Sequence, residues 1–210
     1  KKDCVVLSFP VAYFTGYHPE ISYLKDEDNR VISEPFALHD INILRLYLSG
    51  KSVSDAAQAI KDESFYSNEF LESNLDSTLK NLEKREANLD IKLSPFIKKT
   101  FRDSQLFHSF NHPSSDILGY VFSSVLDLVA VAREKEFSEL FWNSDVLAQS
   151  SFPVYQSVSR GLELEFSTTT DYRMNKQTLT RKEVVEAYFK FYSENHEKVT
   201  ALATSMAVNN

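Results

Sequence analysis

Along most of the chain, apolar residues recur every three or four positions, the spacing of one buried helix face. This pattern predicts helices over residues 37–48, 54–61, 70–88, 94–101 and 180–203, and one from Ser114 or Ser115 to about residue 135. Capping residues agree with it. Gly50 ends the first helix, Ser52 or Ser54 starts the second, and Ser94 precedes a first-turn proline at Pro95. Thr180 and Glu183 have the spacing of a capping box. Strand-like stretches are short. Residues 4–9 are β-branched and apolar and stop at Pro10, which predicts a buried strand continuing as an extended segment to Gly16. Residues 106–110 and 162–166 also read as extended, and residues 25–30 as a charged loop. With no internal repeat or linker, the pattern predicts one α/β, predominantly helical domain over residues 1–210, with short N-terminal strands and a large helical second half.

Composition narrows the functions. Hydrophobic residues make up 42% and charged residues 25% of 210 residues, so a packed core is expected rather than disorder. Only 4 glycines argue against a glycine-rich nucleotide loop and a turn-dense all-β fold. A net charge of −7 argues against nucleic acid as a partner, which would need a basic face. The single cysteine, Cys4, excludes an intrachain disulfide and fits a reducing compartment; its apolar setting predicts a small buried side chain rather than a nucleophile. The longest apolar run, residues 121–132, is broken by Ser123, Ser124 and Asp127 and is too short to span a bilayer. With no signal peptide visible, a cytoplasmic protein is expected. The chain starts without Met in a strand-like stretch, so an additional N-terminal segment is expected.

The candidate chemistry centres on Asn111-His112-Pro113-Ser114-Ser115-Asp116. An extended segment runs into a proline-fixed turn and a helix start, gathering free N–H groups near an imidazole and a carboxamide. His112 can then serve as acid or base, while Asn111, Ser114 and Ser115 bind a phosphate or carboxylate. Alternatively, Asn111 and His112 only satisfy backbone groups at the turn. Between residues 80 and 102, seven basic side chains face three acidic ones, and Arg102 lies close enough in sequence to His112 to meet a phosphate. In Gly16-Tyr17-His18-Pro19-Glu20, His18 and Glu20 form an acid–base pair or merely cap a turn. The five histidines show no metal-ligand spacing.

These motifs, taken in order, resemble the WcbI-type capsular polysaccharide biosynthesis proteins. The resemblance runs from Phe14 to Glu20, through Arg85-Glu86, Phe101-Arg102 and Leu106 to Pro113, to Phe152-Pro153-Val154-Tyr155. It implies a flavodoxin-like or SGNH-type outline, a role in capsule or surface-glycan assembly, and a CoA-dependent acyltransferase using coenzyme A or another nucleotide or acyl donor with a glycan acceptor. It also implies that the Asn111-His112-Pro113 turn, His18 and Arg102 face the ligand cleft; His112 and His18 are then expected to be catalytic, with Asn111, Arg102, Ser114, Ser115 and Tyr17 binding substrate or cofactor. A homo-oligomer is compatible with it. The family's Gly-Asn-Cys turn, source of its candidate nucleophile, has no counterpart in this sequence. A non-catalytic helical module accompanying a glycosyltransferase, presenting an apolar face of residues 180–203, is the alternative.

Overall fold

The computed structural model describes residues 4–130, 146–167, 169–174 and 176–208. Helix α1 (Ile41–Leu48) begins where the Asp40 carboxylate accepts the N–H groups of Asn42 and Ile43, and Gly50 follows it at φ 73°. Ser52 caps α2 (Val53–Ala59) and Ser67 caps α3 (Asn68–Glu86). In α4 (Ser94–Thr100) the serine does not cap its own helix. Instead Glu86, buried at the end of α3, accepts from the backbone N–H groups of Leu93 and Ser94 at 2.7 and 3.2 Å and from the Ser94 hydroxyl. A carboxylate at the electropositive start of α4 thereby ties the two helices together. Helices α5 (Ser115–Leu128) and α6 (Gln156–Gly161) follow, then α7 (Arg181–Glu194) with the Thr180–Glu183 capping box. The expected helix over residues 180–203 is two: Asn195, at φ −126°, interrupts it before α8 (His196–Val208). Part of the helix expected to residue 135 lies outside the described residues.

Among the described residues, three two-stranded antiparallel sheets complete the fold: β1 (Ile21–Ser22) with β2 (His39–Asp40), β3 (Phe107–Ser109) with β4 (His112–Pro113), and β5 (Tyr172–Met174) with β6 (Gln177–Leu179). No parallel sheet of the flavodoxin or SGNH kind occurs among the described residues. The expected buried strand over residues 4–9 is also corrected. Residues 4–9 form no strand and have no partner strand among the described residues, and Cys4, Val5, Val6 and Phe9 are exposed. The segment is fastened at Ser8, whose N–H and hydroxyl donate to Asp90. Residues 162–166 are not a strand either, because α6 ends there and Glu163 turns at φ 55°.

Aromatic clusters organise the core. Phe14 packs on Tyr17 and Phe107 with centroids 5.1 and 5.4 Å apart. A Cβ on Gly16 would fall 2.2 Å from the buried Phe14 ring, so only glycine lets the chain pass there. On the other side, Tyr188 and Tyr192 of α7 pack beside Phe36 and His39, and the Tyr188 hydroxyl donates to the Leu38 carbonyl at 2.6 Å. That bond holds the segment before β2 in place.

Candidate functional site

The β3–β4 hairpin shifts register between Phe107 and Ser109 and so turns His112 toward residues 150–152. His112 Nδ1 lies 3.2 Å from the Ser150 carbonyl and 3.0 Å from the Ser109 hydroxyl. A carbonyl only accepts, so Nδ1 carries the proton and donates. The Ser109 hydroxyl then donates onward to Asn111 Oδ1 at 3.1 Å, and Asn111 Nδ2 donates to the Tyr23 hydroxyl at 3.0 Å. This chain fixes both the ring and its tautomer. Nε2 keeps its lone pair and has no hydrogen-bond partner among the described residues. Burial pulls the imidazole below its ordinary value, and the Ser150 carbonyl only partly offsets this, so the half-buried ring is neutral near pH 7.

His112 lines a cavity of about 160 Å3 together with Tyr23, Phe36, Ala37, Leu38, Ser150, Phe152 and Met174. Long-range backbone pairing assembles these walls. Phe152 N–H donates to the His108 carbonyl at 2.8 Å, and Ser151 exchanges two hydrogen bonds with Arg173 of β5. Of its lining residues, Phe36, Leu38, Phe152 and Met174 are buried, while Tyr23 and Ala37 are exposed.

The second His-Pro motif is built differently. His18 and Glu20 are fully buried, with Nδ1 3.3 Å from Oε1. Beside them Asp40 accepts from the Tyr155 hydroxyl at 2.6 Å, placed there by the pairing of Ile21 with Asp40 in β1–β2. Burial drives His18 far below and Glu20 up to about 8; burial and then the neighbouring Glu20 raise Asp40 to about 7. Nε2 of His18 and Oε2 of Glu20 have no hydrogen-bond partner among the described residues. The His18 ring meets Phe152 edge-on at 6.3 Å, on a residue that also walls the His112 cavity.

The other predicted site residues are dispersed. Tyr17 is enclosed in the core, its hydroxyl lying between the carbonyls of Phe101 and Ser104. Arg102 is exposed; Nε donates to the Leu162 carbonyl at 3.1 Å, and the guanidinium lies 4.5 Å above the Phe101 ring. Ser114 occupies the N-cap of α5, but its buried hydroxyl has no partner among the described residues; Ser115 begins the helix, half-buried. Tyr23, Ser150 and Met174 carry no motif, and Ser109 and Phe152 stand in the resembling segments without a role of their own; only tertiary pairing gathers them around His112. The apolar residues of α7, Val184, Val185, Tyr188 and Tyr192, turn inward. Among the described residues no group of three potential metal ligands occurs, and no helix is long and apolar enough to cross a membrane.

No curated protein matches the chain. A solved structure of WcbI, described as a novel polysaccharide biosynthesis enzyme in native form without a disulfide between coenzyme A and a cysteine, superposes with a TM-score of 0.75. The match covers 97% of this chain and 67% of that one at 16% identity, which shows a shared fold. The family model of the polysaccharide biosynthesis enzyme WcbI matches residues 1–134, the stretch that contains both His-Pro motifs, so the chain belongs to the WcbI family.

Proposed function

We propose that this protein transfers an acyl group from coenzyme A to a glycan hydroxyl, with His112 as general base. One observation carries the reading: Nδ1 of His112 is bound to Ser150 and Ser109, which leaves a neutral Nε2 on a ring that lines a cavity. The lone pair on Nε2 can take the proton of an acceptor hydroxyl as its oxygen bonds to an acyl carbon. The imidazolium formed is stabilised by the Ser150 carbonyl and returns that proton to the departing group. An acyl-CoA, when bound, would supply the electrophilic thioester, its C–S bond breaking to release coenzyme A as the thiol.

The cavity suits the uncharged end of such a donor, because none of its lining side chains is a cation. The coenzyme's phosphates would be met outside it, where Arg102 is exposed and its terminal guanidinium nitrogens have no partner among the described residues. Ser114 and Ser115, at the start of α5, are the other donors proposed for phosphate. A covalent intermediate is not part of this reading, because Cys4 does not line the cavity. Calorimetric titration with coenzyme A tests the proposal. Binding is expected for the wild type, about tenfold weaker for Arg102→Ala as one charge-assisted phosphate contact is lost. No heat with the wild type would overturn it.

A further inference from the structure

We propose that the cavity beside His112 is a pocket for a short acyl chain, and that Met174 sets the longest chain it accepts. The inference rests on the coenzyme A reading and specifies its donor.

Size comes first. An apolar protein cavity of roughly 150 Å3 holds a molecule about as large as benzene. At about 160 Å3 this one has room for roughly four to six carbons. Its chemistry points the same way. Phe36, Leu38, Phe152 and Met174, all buried, line it, and its polar side chains are those of His112, Ser150 and the exposed Tyr23. A phosphate or carboxylate there would be desolvated without a counter-charge. A sugar ring would leave most of its hydroxyls unpaired against Phe and Met side chains. A short hydrocarbon chain leaves nothing unpaired, and its carbonyl would remain with the polar residues. Met174 is 3% exposed on β5, where pairing with β6 and the Arg173–Ser151 bonds hold its backbone. Removing its side chain therefore enlarges the pocket rather than moving its wall.

Affinities for free coenzyme A, butyryl-CoA and decanoyl-CoA, measured by calorimetry on the intact protein, test this. Wild type is expected to bind butyryl-CoA at least about tenfold tighter than decanoyl-CoA, the scale of discrimination by a close-fitting apolar pocket. Met174→Ala is expected to narrow or reverse that ratio. Ala37→Phe, at an exposed position on the cavity and so tolerant of change, is expected to weaken butyryl-CoA about tenfold and leave free coenzyme A unchanged. Equal affinity for both acyl lengths in the wild type, with free coenzyme A bound, would overturn the pocket and leave the donor reading standing. Butyryl-CoA binding that ignores Ala37→Phe would do the same. Failure of all three ligands to bind would remove the donor reading, and the pocket with it.

Discussion

The chain carries His-Pro twice, and the two imidazoles end in opposite situations. His18 lies wholly inside the protein, paired with a carboxyl that burial also pushes toward neutrality. His112 is half-exposed at a cavity, one nitrogen held by a carbonyl and a hydroxyl and the other without a hydrogen-bond partner among the described residues. The same dipeptide therefore sits in two environments, and burial with hydrogen bonding, not residue type, separates them. A proline corner aims the ring; the packing around it decides whether solute reaches it.

Substitution should separate the two corners. His112→Ala is expected to lower acyl transfer about 10²- to 10⁴-fold, the usual contribution of a positioned general base. Its urea unfolding midpoint should correspond to a stability change within about 0.5 kcal/mol, because the ring is half-exposed. His18→Ala is expected to do the reverse in one respect, costing about 2–3 kcal/mol of stability by opening a cavity and isolating a buried Glu20. A His18→Ala protein as stable as wild type would erase the distinction.

A smaller effect should come from Ser109→Ala, which removes the acceptor of Nδ1–H and the donor to Asn111. Steady-state kinetics are expected to show a roughly tenfold lower turnover with KM nearly unchanged, as a positioning residue acts through the ring it orients. Smallest is the pH dependence of stability. Glu20 has its folded pKa raised from 4.5 to about 8, so its contribution is fully present below about 4.5 and is lost as pH rises through about 8. Asp40, raised in the same direction, adds to the loss, whereas the lowered His18 and His39 gain stability as pH rises to about 6.5 and oppose it there. Thermal melts of the wild type should therefore fall between about 6.5 and 8, and Glu20→Gln should flatten part of that decline.

Much of the fold was legible because its signals are local. The leucines of α3 at three- and four-residue spacing, the Ser52 cap and the Thr180–Glu183 box all act within one turn of chain, and the helices begin within a few residues of where these place them. The corner itself was legible too, since Asn111-His112-Pro113 leading into a serine and a helix describes its own geometry. What escaped depends on partners far along the chain. The strand character of residues 4–9 needs a neighbouring strand that the described residues do not supply. The β5–β6 hairpin, turning at Lys176 with φ 66°, offers only three residues a side with mixed polarity. Phe36, Phe152 and Met174 meet around His112 only because β5 pairs with Ser151 and α7 holds Leu38. Periodicity reports which face of an element is apolar; it is silent about which distant apolar residues enclose a hole.

Nitrogen-detected NMR of the histidine rings, followed from pH 5 to 8, tests the contrast most directly. The account predicts that His112 is a neutral ring protonated on Nδ1 that gains its second proton only below the ordinary histidine value of 6.5, while His18 shows no titration across the range. A His112 ring protonated on Nε2, or a His18 ring that titrates freely with solvent, would contradict it.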